Sequence, residues 1–158
     1  MKKKVIVSAL GIMLLSATVL PTHAEDMSVS YSQATTYTLS IPTSINLSKD
    51  SNVTSQSIGV SAVNTSPTEK VQVKIKDGIT DGKVTLIRKD DSTTTVVSSV
   101  THDGNKVNTG SVIAEFLDTD ISPVKTIDFS AIEDSKGGEV KAGTYNGTIT
   151  FEGIVVPR

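Results

Sequence analysis

The 158-residue sequence contains no cysteine and no tryptophan. Without cysteine, an exported domain has no disulfide to hold it, so its stability must come from its apolar core. Cysteine-based catalysis and anchoring through a lipid-modified cysteine are excluded for the same reason. Three tyrosines and three phenylalanines are too few for a flat aromatic platform that stacks on sugars. The composition therefore favours functions that need neither thiol chemistry nor aromatic stacking.

Histidine is nearly absent from the chain as well. His23 lies near the N-terminus, and His102 lies beside Asp103 in the polar stretch THDGN. A serine nucleophile needs a histidine base that a third group orients. A single histidine in a turn sequence is more typical of a solvated side chain. We therefore predict no catalytic residue, no cofactor and no enzymatic activity.

The aspartates of the predicted turns are the only candidates for a metal site. None shows the Asp-x-Asp-x-Asp-Gly spacing of a dedicated calcium loop. Asp118 and Asp120 form the best pair, because on a strand both would project to one side and repel each other without a cation between them. Two exposed loop acids are the simpler interpretation. We expect no metal site, and calcium at Asp118 and Asp120 stays the open alternative.

The N-terminal 24 residues have the pattern of an export signal. Lys2, Lys3 and Lys4 precede an apolar run over residues 5–20, and Thr22-His23-Ala24 resembles a small-x-small cleavage site. The apolar run is about 16 residues, whereas a membrane-spanning helix needs roughly 20. We predict a signal peptide over residues 1–24, with a retained N-terminal anchor as the alternative.

The charge of the remaining chain restricts its partners. Removing the three lysines of the signal from the 15 basic residues leaves 12 against 17 acidic residues, a net charge of about −5. Nucleic acids and anionic lipids both require a cationic surface, so neither is an expected partner. We predict a secreted or extracellular protein, with association with the cell surface as an option. We expect no membrane insertion after signal cleavage.

Period-two patterns dominate the sequence after residue 30. Val71, Val73 and Ile75 alternate with polar residues in KVQVKIK, and several similar runs are separated by Asp-Gly pairs. Such alternation is typical of strands with one buried and one solvated face, and Asp-Gly is typical of their turns. The patterns predict a single all-β antiparallel sandwich of about seven to nine strands over residues 35–158. Its expected core includes Phe116, Phe129 and Phe151. Residues 25–34 are predicted to be a flexible lead-in.

The C-terminal stretch AGTYNGTITFEGIVV, residues 142–156, is predicted to form one long strand. Tyr145 follows a glycine, which suits a tyrosine corner with the ring in the core and the hydroxyl bonded to upstream backbone. Gly147 and Gly153 indicate bends or the close approach of another backbone. The apolar run 154–156 breaks the alternation, so both faces are covered either within the domain or by a neighbouring molecule.

Two stretches carry a resemblance to known proteins. YTLSIP, Tyr37–Pro42, and AGTYNGTITF, Ala142–Phe151, resemble the first and last strands of small exported bacterial β-sandwich proteins, which include cysteine-free fimbrial subunits. The resemblance implies an immunoglobulin-like sandwich with Greek-key connections in an adhesive, structural or pilus-like setting. It covers about a fifth of the mature chain, and the Trp-x-Leu and sortase motifs of some surface proteins are absent.

Two functions from different classes follow as expectations. The first is a non-enzymatic secreted or cell-surface protein with an adhesion, binding or extracellular-matrix role, whose partner is a protein or glycan at the cell surface. The alternative is a structural subunit of a pilus or fibre, in which residues 25–34 of one copy complete a sheet edge of the next. A secreted enzyme or inhibitor is a third possibility, because a fold alone does not determine function.

Overall fold

The computed structural model describes residues 28–120 and 124–158. The predicted signal peptide, residues 1–24, lies outside the described residues. The compact unit Gln33–Arg158 contains every strand that the structure describes. Within the described ranges, no helix is long and apolar enough to cross a membrane.

The described chain is built from strands, and every pairing between them is antiparallel. Eight strands have five or more residues, and four have two residues each. The predicted all-β antiparallel sandwich is confirmed. In chain order the strands are β1 (Thr36–Ser40), β2 (Val53–Asn64), β3 (Glu69–Asp77), β4 (Ile79–Thr80), β5 (Lys83–Arg88), β6 (Asp91–His102), β7 (Asn105–Lys106), β8 (Val112–Phe116), β9 (Val124–Ser130), β10 (Glu133–Asp134), β11 (Tyr145–Asn146) and β12 (Thr150–Pro157).

The strands form a large and a small sheet. The large sheet has the order β1-β2-β9-β6-β5-β11, with the short strands β7 and β10 on β6 and β4 on β5. The small sheet has the order β12-β3-β8. The small sheet has half as many strands along its main path. Among the described residues, four outside both sheets are partly buried against the core, namely Ile41, Ile45, Leu47 and Ile149.

The core lies between the two inner faces. The central strand of the small sheet buries Val71, Val73 and Ile75 completely, as its alternation predicts. These side chains belong to one cluster with buried residues of the large sheet, among them Ile58 and Ile127. The expected phenylalanines are present: Phe116 and Phe129 are buried, and Phe151 is partly buried against the same cluster.

Two Asp-Gly pairs form the tight turns that the sequence indicates. Asp81 and Gly82 have φ angles of 52° and 74° between β4 and β5, and Asp103 and Gly104 have 49° and 75° between β6 and β7. Two consecutive residues with positive φ define the type I′ turn, whose twist matches that of antiparallel strands. Asp-Gly tolerates this conformation, so these pairs fix the register of the flanking strands.

The closing stretch 142–156 is not one strand, and that prediction was wrong. Its first part, β11, pairs with β5 in the large sheet, whereas β12 pairs with β3 in the small sheet. Residues 147–149 cross between the sheets. A Cβ atom on Gly147 would lie 2.7 Å from the Thr85 carbonyl oxygen, and one on Gly78 would collide with the Thr148 carbonyl oxygen. The crossing therefore passes through a space that two glycines leave open.

Tyr37 of β1 connects the large sheet to the outer strand of the small sheet. Its hydroxyl donates a hydrogen bond to the Gly153 carbonyl in β12. A Cβ on Gly153 would lie 2.7 Å from the Tyr37 ring, so Gly153 makes room for this ring. The close approach expected at Gly153 is thus made by a side chain, whereas that at Gly147 is made by backbone.

We expect Tyr37→Phe to lower the free energy of unfolding by about 1 kcal/mol, the net contribution of one hydrogen bond. The ring keeps its packing in this variant, and only the bond between the sheets is lost. Urea unfolding measures the change. Tyr145→Phe is the control, because its exposed hydroxyl bonds to the nearby Lys141 carbonyl and joins no sheets. An equal loss in both variants would contradict a role for Tyr37 in connecting the sheets.

Candidate functional site

An open cleft of about 460 Å³ lies against the inner face of the large sheet. Its floor is apolar and is made by buried side chains of three strands, including Ile58, Val84 and Ile127. One wall is the segment 41–47 and the other is the segment 144–149. Both walls lie where the smaller sheet does not extend over the larger one.

The wall 41–47 contains no strand. Its Ile45 and Leu47 are partly buried against the core without belonging to a strand. Within the described parts of the chain, residues 41–47 make no backbone–backbone hydrogen bond, and neither do residues 147–149 of the opposite wall. Residues 41–47 and 147–149 therefore present backbone groups that pair with no other backbone group of the described residues.

The outer edge of β12 continues the second wall. The Ile75 N–H donates to the Ser111 carbonyl, and the Ile75 carbonyl accepts from the Gly110 N–H, so both groups face β8. Phe151 stands opposite Ile75 in an antiparallel ladder. It is therefore a non-hydrogen-bonded partner, and its own N–H and C=O point away from β3. Since Phe151 also lines the cleft, the open edge of the small sheet borders the site.

Among the described residues that line the cleft, none carries a carboxylate, amine or imidazole. Its polar groups are hydroxyls and amides on the rim, together with the amide of Gln56 on the floor. Among the described residues, the Gln56 side chain has no hydrogen-bond partner. A molecule in this cleft would be held by apolar contact and by uncharged hydrogen bonds. The rim residues with such groups are Thr43, Ser44, Asn46, Thr144, Asn146 and Thr148.

Tyr145 lines the same cleft. Its hydroxyl donates a hydrogen bond of 2.9 Å to the Lys141 carbonyl four residues upstream. The upstream bond of the predicted tyrosine corner is therefore present. The ring is half-buried and lies along the cleft, not within the buried cluster of the core.

His102 is not the solvated turn residue that the sequence indicates. It ends β6, and its side chain is only 14% exposed. The Nδ1 atom lies 2.7 Å from the Thr126 carbonyl, and Nε2 lies 3.4 Å from an Asp103 carboxylate oxygen. The strand β9 covers the imidazole, which alternation along the chain could not reveal. Both ring nitrogens face acceptors, and His102 does not line the cleft.

Asp118 and Asp120 lie in the turn after β8, so the strand geometry assumed for them was wrong. Asp118 accepts a hydrogen bond of 2.7 Å from the Arg158 guanidinium. Asp120 accepts one of 2.7 Å from the Leu117 N–H. Each carboxylate has a local structural partner. Within residues 28–120 and 124–158, no group of three or more His, Cys, Asp or Glu side chains could hold a metal ion.

The carboxylates whose pKa is lowered by the fold do not line the cleft. Hydrogen bonds from the Thr94 and Thr93 hydroxyls and the Thr93 N–H hold the pKa of Asp91 far below its usual range. The Lys70 ammonium, 2.8 Å away, and the Gln72 amide lower the pKa of Glu115. These groups stabilise a turn and the outer face of the small sheet.

Acid should destabilise the protein partly through Asp91. A carboxylate whose pKa is lower in the folded state contributes stability above its unfolded pKa, and this contribution is lost as the pH falls through the folded value. Thermal unfolding of Asp91→Asn between pH 6 and pH 2 should therefore show a smaller decrease in Tm than the wild type shows. Parallel Tm curves for the two proteins would contradict the assignment.

No protein-family model matches this chain, and no curated protein matches it significantly. The class of the protein is therefore the one that its fold defines, an all-β antiparallel sandwich, and the cleft is the feature from which a function can be argued.

Proposed function

We propose that this chain is an exported, non-enzymatic binding protein with an immunoglobulin-like fold, which acts at the cell surface or in the extracellular matrix. The observation that carries the proposal is the open, apolar-floored cleft between residues 41–47 and 144–149. A concave apolar site with a few polar groups on its rim is typical of ligand binding. The predicted signal peptide supports the extracellular setting.

The chemistry of the lining favours binding over catalysis. General acid–base and nucleophilic catalysis use positioned groups that gain or lose protons near the working pH. Of the described lining residues, Tyr145 alone has an ionisable side chain, and its hydroxyl donates a hydrogen bond to the Lys141 carbonyl. The remaining lining can recognise shape and hydrogen-bonding groups.

A charge on the cleft rim tests the proposal. The mature protein, residues 25–158, is labelled and titrated onto extracellular-matrix coatings and onto producing cells that lack the gene. We expect saturable binding that Ser44→Lys weakens about tenfold or more, equivalent to about 1.4 kcal/mol. Ser57→Lys is the matched control, because Ser57 is exposed and faces away from the cleft lined by Gln56 and Ile58.

The proposal is wrong if the protein binds none of these surfaces saturably. It is also wrong if Ser44→Lys and Ser57→Lys bind as the wild type does, because the cleft would then play no part in the binding.

A second candidate, a fibre subunit completed by a strand from its neighbour, is supported by the N-terminal segment. Met27, Val29 and Tyr31 alternate with serines, and Val29 and Tyr31 are 82% and 86% exposed. The open edge of β12 offers a place for such a strand.

Size-exclusion chromatography and SDS electrophoresis of the mature protein, with and without residues 25–34, test the fibre. Ladders that resist SDS and disappear with the deletion would support it. A monomer at high concentration that the deletion does not change would exclude it.

A further inference from the structure

We propose that the ligand of the cleft is an extended, uncharged peptide strand, which adds to the small sheet beside β12 as a fourth strand. This inference rests on the proposed function of the cleft as a binding site. The small sheet ends at β12 in the described chain, while the large sheet continues across the cleft floor. The cleft therefore lies where a further strand of the small sheet would lie, beside β12.

Both walls carry backbone groups that make no backbone–backbone hydrogen bond within the described residues, and a strand pairs through such groups. Residues 147–149 run into β12, where the Phe151 N–H and C=O point away from β3. On the opposite side, residues 41–47 have no backbone–backbone hydrogen bond within the described residues. A peptide between these walls can form hydrogen bonds with the backbone groups of both walls. A compact small molecule would leave most of these wall groups unpaired.

The floor sets the side-chain pattern of the peptide. Successive side chains of a strand point to opposite faces, so every second residue would contact Ile58, Leu86 and Ile127, and the others would face solvent. A charged side chain on the floor would lose its hydration without gaining an opposite charge, because the lining has none. The peptide therefore alternates apolar with small polar residues and carries no charge on its inward face.

Tyr37 limits the length of the pairing. Its hydroxyl donates a hydrogen bond to the Gly153 carbonyl, which is the next outward-pointing acceptor of β12 after the Phe151 carbonyl. This acceptor is therefore not free to pair with a peptide. The chain available to the peptide is therefore the crossing residues 147–149 together with residues 150–151 of the edge, at most about 17 Å at roughly 3.3 Å per residue. Gln56, on the floor within this stretch, offers its unpaired amide to one polar inward group.

A panel of synthetic heptapeptides tests the inference by fluorescence anisotropy with the mature protein. One set alternates Val or Tyr with Ser or Thr, and includes MSVSYSQ, residues 27–33 of this chain. A second set has the same compositions in scrambled order, a third carries Lys or Glu at a central inward position, and a fourth is N-methylated at alternate amides.

We expect the alternating peptides to bind and the other three sets to bind at least about tenfold more weakly, a difference of about 1.4 kcal/mol. Ser44→Lys should weaken binding of the alternating set, and Ser57→Lys should not. Stronger binding of MSVSYSQ than of the other alternating peptides would identify another copy of this chain as the source of the strand. Equal binding would identify a different protein with this chemistry.

The inference is overturned if the N-methylated or charged peptides bind as well as the alternating ones, or if no alternating peptide binds. In either case, weakened surface binding by Ser44→Lys would still support the cleft as a binding site. Unchanged surface binding by Ser44→Lys would instead remove the proposed function itself.

Discussion

Gly78→Ala should lower the free energy of unfolding by about 3 kcal/mol, through backbone strain and overpacking together. Gly78 has a φ of 97°, which L-residues with a side chain rarely adopt. Its new methyl group would also collide with the Thr148 carbonyl and lie 2.9 Å from the Ile149 Cα. Both contacts are with backbone, so no side-chain rotation relieves them, and the crossing segment must move.

Gly110→Ala is the control for this substitution. Gly110 has a similar φ of 91°, but a methyl group there meets nothing within 4 Å. It should therefore show the strain alone, about 1 kcal/mol. Urea unfolding of both variants separates the two contributions. Equal losses would show that the crossing segment does not pass against Gly78.

Phe116→Ala should lower the free energy of unfolding by about 3–5 kcal/mol, the range for large aromatic side chains removed from a core. Phe116 is 1% exposed and stands opposite Val71, on the strand β8, which among the described strands pairs with β3 alone. The cavity left by this substitution lies at the end of the short edge strand β8, in which Ile113 and Ala114 are also buried. Unfolding in urea, followed by circular dichroism, measures the loss.

Val112→Ala, in the same strand, provides the comparison for Phe116→Ala. Val112 is 42% exposed, so its truncation should change the stability by less than about 1 kcal/mol. A similar small loss for Phe116→Ala would contradict the packing of β8 against the core.

Local patterns predict the elements of this fold well. The alternation in KVQVKIK identifies β3 and its buried face, because period two is a property of a single strand. The Asp-Gly pairs predict their hairpins, since positive φ at two successive residues is a local requirement. The phenylalanines in alternating runs reach the core for the same reason.

Which strands pair with each other depends on residues that are distant in the chain, so the sequence pattern of one strand does not predict its partner. The stretch TYNGTITF alternates in the same way whether it stays on one sheet or crosses to another. Only the strand pairing, of β11 with β5 and of β12 with β3, shows the crossing. His102 has a turn-like sequence around it, yet β9, more than twenty residues later, supplies its hydrogen-bond acceptor.

The cleft could not be predicted, because its lining comes from distant parts of the chain. The wall 41–47, the floor strands and the segment 144–149 meet only through the sheet order. Pro42 is a local indication that the first wall would not continue β1, since proline cannot donate to a ladder. Nothing comparable marks the unpaired edge of β12, which depends on which side of β3 each neighbour takes.

Amide hydrogen exchange along β12 in the monomeric mature protein tests most directly whether the closing segment crosses to the small sheet and leaves an open edge. Glu152, Ile154 and Val156 should exchange slowly, because their N–H groups point to β3, whereas Phe151, Gly153 and Val155 should exchange fast. Uniform protection of residues 151–156 in the monomer would mean that β12 is paired on both sides, and would contradict both the open edge and the cleft beside it.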